Sequence, residues 1–146
     1  MTPNSCLSAL IARLNAADFK ECKSPNGLTD GGSARLDKGF YVRPLSISFM
    51  KGRNRSEEAG ARVNMAFEVQ LGHKVKPSDG CSAAATALTD VHTALRYLFT
   101  PNTTLTSGGG GAIFLGQIKV DYMEGGSYII QKVKIDIHFN LSLFAP

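Results

Sequence analysis

Phe114-Leu115-Gly116-Gln117-Ile118-Lys119-Val120-Asp121-Tyr122-Met123-Glu124-Gly125-Gly126-Ser127-Tyr128-Ile129-Ile130-Gln131-Lys132-Val133-Lys134-Ile135-Asp136-Ile137 is the stretch whose reading decides the fold. Phe114, Ile118, Val120 and Tyr122 form an apolar series before the glycines. Ile129, Val133, Ile135, Ile137, Phe139, Leu141 and Leu143 form another after them. Spacing by multiples of two is the mark of a strand with one buried side. Gly125-Gly126 supplies the backbone freedom of a tight connection. A turn centred there predicts pairing of Tyr122 with Ile129, Ile118 with Val133 and Phe114 with Ile137. Both apolar sets then share one side of the sheet, as a consistent register demands. Something else in the chain must cover that side.

Two segments qualify. Thr2-Pro3 sets a capping hydroxyl before a proline at a first helical position. Leu7, Leu10, Ile11 and Leu14 follow at helical spacing, and the helix should end near Asn15–Ala17. Further on, Pro77-Ser78-Asp79-Gly80 offers caps for a second helix. Its expected apolar face is Ala84, Leu88, Val91, Leu95, Leu98 and Phe99, and Pro101 stops it. The cleanest additional strand alternates Val63, Met65, Phe67, Val69 and Leu71 with Asn64, Ala66, Glu68, Gln70 and Gly72. Phe40 to Phe49 also has strand character, with Tyr41, Leu45, Ile47 and Phe49 expected on one side. Pro44 points to an edge or a bulge there, because it cannot donate to a ladder. Phe19 to Cys22 is a short strand candidate. Lys23 to Lys38 holds turn chemistry and reads as a mobile loop. Lys51 to Glu58 reads as a charged linker, and Asn102 to Gly111 as a flexible polar loop. The expected fold class is α+β, one domain over 1–146. It has a mostly antiparallel sheet of four to five strands and both helices on one face.

The bulk numbers suit a domain that folds without metal or disulfide help. The chain has 146 residues, of which 43% are hydrophobic and 19% charged. Three cysteines, Cys6, Cys22 and Cys81, are odd in number and widely spaced, which fits reduced thiols better than a disulfide framework. No window approaches the ~20 apolar residues of a membrane helix, and no secretory signal is expected. The net charge of +4 permits an anionic partner without requiring one.

Little in the sequence points to catalysis. The four glycines at 108 to 111 lack the Gly-Lys-Ser/Thr and the following helix of a phosphate loop. His73, His92 and His138 have no ligand at zinc-site spacing. His73 shares the inward side of its strand, near an end where exposure is easy. Cys81 opens the second helix but has no base to activate it. No enzyme activity and no cofactor are expected. Three basic groups keep nucleic-acid binding as the rival: Lys51, Arg53 and Arg55; Lys74 and Lys76; and Lys119, Lys132 and Lys134. Glu57 and Glu58 dilute the first, and no strand carries an RNA-stacking aromatic pattern. Lys119 falls opposite Lys132 in the hairpin, a like-charge pairing that Asp121 and Asp136 can soften diagonally. That face is either plainly solvated or meets acidic groups of a neighbouring subunit or polyanion.

The order of elements resembles the tail terminator proteins of long-tailed, noncontractile bacteriophages. It comprises an N-terminal helix, an early loop, a charged loop between two strands, one long helix, a Gly-rich loop and a closing hairpin. Gly108–Gly111 followed by Ile113-Phe114-Leu115-Gly116, and the closing Asp136-Ile137-His138-Phe139, are part of the likeness. The resemblance implies a virion tail protein assembled in the host cytoplasm. It would form a homo-oligomeric, hexameric ring that caps the tail tube and ends its polymerisation. Its partners would be the major tail tube protein and a head–tail connector protein, with DNA passing through the ring. Neighbouring connector subunits share the architecture. The assembly-contact candidates are Lys51, Arg53, Arg55, Glu57, Glu58, Thr103, Thr104, Lys119, Lys132 and Lys134.

Overall fold

The computed structural model describes residues 3–49, 61–98 and 111–141. Helix α1 spans Pro3–Ala16 and α2 spans Cys81–Leu98; the strands are β1 (Lys20–Glu21), β2 (Gly39–Phe49), β3 (Ala61–Lys74), β4 (Gly111–Met123) and β5 (Tyr128–Leu141). The five strands form one sheet in the order β1-β2-β3-β5-β4. Only β1–β2 is parallel; the other three pairings are antiparallel. This is the α+β arrangement that the alternation predicts.

Both helices cover the same face. Cys6, Leu10 and Leu14 of α1 and Val91 and Ala94 of α2 share a core with Phe40, Val63, Phe67, Val69, Leu71, Val133, Ile135 and Ile137. Large side chains such as Phe67 and Leu71 lose all their exposure there, each worth roughly 1.5–3 kcal/mol of transfer free energy. The helix bounds match the caps in the sequence. The inward face of α2 matches only in part: Val91 is buried and Leu95 packs against the core as expected. Ala87, Val91 and Ala94 are buried, whereas Leu88 is 44% exposed. The inward stripe is therefore rotated from the expected one, toward the small side chains of Ala87 and Ala94.

Two register irregularities correct the strand readings. In β2, pairing slips between Pro44 and Ser46, as the proline warned. Before the slip Tyr41 lies opposite Gln70; after it Ile47 lies opposite Met65. Tyr41 packs with the cluster on the far face, whereas Met65 belongs to the helix-side core. Tyr41 and Ile47 thus do not share a side, because one extra residue reverses the alternation. In the hairpin, Tyr122 pairs with Ile129 and Lys119 with Lys132, as expected. Phe114, however, pairs with Ile135 and not with Ile137. Four steps along β4 from Leu115 to Lys119 match two along β5 from Lys134 to Lys132, so β4 carries two surplus residues. The tight connection holds three consecutive positive φ values, at Glu124, Gly125 and Gly126.

The segment 23–38, expected to be mobile, instead covers the second face of the sheet. Leu28 and Ala34 are buried there with Cys22, Tyr128 and Ile130. Two short 3-10 turns, Gly27–Asp30 and Gly32–Ala34, give the segment its shape. The Leu28 amide donates to Gln70 Oε1 (3.2 Å), and Tyr128 donates its hydroxyl to the Leu36 carbonyl (2.8 Å). Arg35 donates to the Leu28 carbonyl, pairs with Glu124 (3.2 Å) and stacks 5.0 Å from the Tyr128 ring centre. The turn residues signal a loop, but they do not disclose that Leu28 and Tyr128 lock together across about a hundred positions.

Candidate functional site

A concavity lies where β3 runs out beneath the N-terminal half of α2. It is a cleft of about 380 Å³. His73, Lys74, Val75 and Lys76 form one wall, and Ser82, Ala83, Thr86, Ala87 and Asp90 of α2 form the other. Asp37, Lys38 and Asp79 complete the rim. The helical wall follows from sequence: Ser82, Thr86 and Asp90, with Ala83 and Ala87, recur at spacings of three and four and so share one stripe.

His73 is the unusual member. It continues the inward parity of β3 opposite Ile129 and is only 5% exposed, contrary to the expected easy exposure. Phe19 meets the imidazole edge-on, with ring centres 5.6 Å apart. Lys38 in turn lies 5.3 Å from the Phe19 ring centre. Nε2 of His73 lies 3.4 Å from Oδ2 of Asp90 without hydrogen-bond geometry, and Nδ1 is likewise buried without a hydrogen-bond partner among the described residues. Burial pushes the imidazole below its ordinary value, and the carboxylates of Asp90 and Asp37 only partly offset this. Since neither ring nitrogen reaches solvent, the imidazole offers no lone pair to a molecule in the cleft. In this conformation the pair is an internal contact and not an acid–base dyad. Its sequence signal was the odd-numbered position of His73, in phase with Leu71.

The polar face of the sheet has a different character. Arg43 donates to Glu68 (3.0 Å), which also accepts from Gln70 (3.0 Å). Burial alone would raise the Glu68 carboxyl, but those hydrogen bonds and the charges of Arg43 and Lys132 hold it below the ordinary range. Lys132 lies 3.6 Å from Asp121, the diagonal neutralisation expected for the Lys119–Lys132 pairing. Asp136 instead accepts from Asn64 (3.1 Å). Lys119 and Lys134 are exposed on this side. Lys74 and Lys76 line the cleft. The contact candidates Lys51, Arg53, Arg55, Glu57, Glu58, Thr103 and Thr104 lie outside the described residues.

Exposed apolar side chains mark the outer strands. Leu45 and Ile47 on β2 are 42% and 51% exposed, and Tyr122 on β4 is 62% exposed. β1 shields the outer edge of β2 only at Gly39 and Phe40. Beyond Phe40, and along all of β4, no described residue pairs with the outer edge. Cys81 is exposed at the start of α2.

No described helix is long and apolar enough to cross a membrane. Among the described residues, no group of three His, Cys, Asp or Glu could hold a metal ion. No protein-family model matches the chain, and no curated protein matches it in sequence.

Proposed function

We propose that this chain is a structural assembly subunit of the tail-terminator type, which forms a ring by head-to-tail contact between copies. Its partners on this reading are further copies of itself, the tail tube protein and a head–tail connector protein. The observation that carries the proposal is the pair of open edges on one sheet. Among the described residues, nothing pairs with the outer edge of β2 beyond Phe40, where Leu45 and Ile47 are exposed, or with that of β4, where Tyr122 is exposed. Unpaired edges template association. A contact between two different patches, repeated by rotation, closes into a ring when the angle permits. Segment 23–38 leaves these edges open, because it is used inside the subunit against Tyr128 and Ile130.

The test is mass measurement across a concentration series, alone and with purified tail tubes, followed by electron microscopy of the tube ends. Rings, or caps at tube ends, support the reading. A chain that stays monomeric at every concentration and leaves tube ends bare refutes it.

A further inference from the structure

We propose that the seam between α2 and the end of β3 is a proton-operated latch, closed while His73 is neutral and released when His73 takes up a proton. Release means that the N-terminal half of α2, residues 81–90, lifts from the sheet while the C-terminal half stays docked.

The argument begins with how thinly that half of the helix is held. Between Cys81 and Asp90 only Ala87 is buried, and a methyl group removes little area from water. The larger anchor, Val91, comes later, with Ala94 beside it. Ala83, Thr86 and Ala87 span the cleft without filling it. The contact from Nε2 of His73 to Asp90 at 3.4 Å therefore sits at the boundary between the docked and the lightly held halves. Segments with few buried contacts are those that open locally at low free-energy cost.

The charges around the imidazole decide which way a proton pushes. From α2 it faces Asp90; from the segment before β2 it faces Asp37 and Lys38. Lys74 and Lys76 on its own side and Asp79 from the turn before α2 line the same cleft. Asp37 is already engaged, accepting from the Lys74 amide (3.0 Å). Phe19 and Ile129 present only hydrocarbon to the ring. A cation formed there would gain one carboxylate at 3.4 Å and would leave Nδ1–H buried with nothing to accept it. An unsatisfied donor beside a buried charge is costly. Opening the cleft admits water to both nitrogens and removes that cost. Nothing in this depends on assembly, so the latch and the ring stand or fall separately.

Hydrogen exchange of the full chain between pH 7.5 and 5 tests the latch, corrected for intrinsic exchange and referenced to α1. Amides of 85–90, the first with intrahelical acceptors, are expected to lose protection as pH falls, by on the order of tenfold for each unit by which burial depresses the imidazole. His73→Gln, which cannot take up a proton, should abolish that pH dependence. Persistence of the dependence in His73→Gln, or its absence from the wild type, overturns the proposal. Should His73→Gln fail to fold, the ring titration of wild-type His73 by NMR decides. A midpoint clearly below the ordinary histidine range supports the latch, and one at or above that range removes it.

Discussion

A side chain as large as Tyr128 lies against the second face of the sheet because Gly72 has no Cβ. A methyl group at 72 would collide with the Tyr128 hydroxyl and crowd Leu28. Gly72→Ala should therefore destabilise the fold by about 1–3 kcal/mol, as overpacking does, seen as a lower urea midpoint with an unchanged slope. Tyr128→Phe removes the bond to the Leu36 carbonyl and should cost about 1 kcal/mol by the same measurement, together with faster exchange over 24–36. Burial holds the Tyr128 phenol well above its ordinary value, which favours the neutral, donating form. His73 makes stability depend on pH in one direction. Burial lowers its folded-state value, so the unfolded chain takes up the proton first as pH falls. The contribution is full above the ordinary histidine range and shrinks as pH falls through about 6.5. It levels off once the folded form is protonated too. Thermal melts of wild type and His73→Gln between pH 8 and 5 should converge as pH falls. Parallel curves would contradict the assignment.

At the scale of elements, the sequence was legible wherever one residue type repeated in phase. Val63 to Leu71 announced β3, and the caps around Pro3 and Asp79 announced α1 and α2. The failures have physical causes. Tyr41 and Ile47 look equivalent by count, yet the irregularity after Pro44 puts them on opposite faces, and apolar pattern alone cannot locate an extra residue. Helical spacing puts Leu88 in line with Val91 and Leu95, whereas the helix seats itself on Ala87, Val91 and Ala94 and leaves Leu88 exposed. The cleft has no signature along the chain, because His73, Asp90 and Asp37 come together only in three dimensions. A substitution pair checks the rotated helix: Leu88→Gln should change stability by less than about 0.5 kcal/mol, and Val91→Ala should cost more than about 1 kcal/mol, both by chemical denaturation. On the β2 edge, Leu45→Lys with Ile47→Lys should leave the melting temperature near wild type while blocking association. A charged edge repels a partner strand without touching the core.

At the scale of the whole molecule, two readings of the polar face separate by salt. Its cations are interleaved with acids: Arg43 is paired with Glu68 and Lys132 with Asp121. Weak, sequence-independent retention of DNA is expected at low salt, with a shallow salt slope, because few phosphates can be neutralised. A steep slope in gel shifts at two salt concentrations would favour a dedicated nucleic-acid binder over the assembly subunit. The two surplus residues of β4 also constrain how this chain can vary. An even excess returns the strand to its original phase, whereas an odd one turns every later side chain inside out. Insertions and deletions between Leu115 and Lys119 should accordingly be tolerated in twos, and a single-residue deletion there should do more damage than a double one.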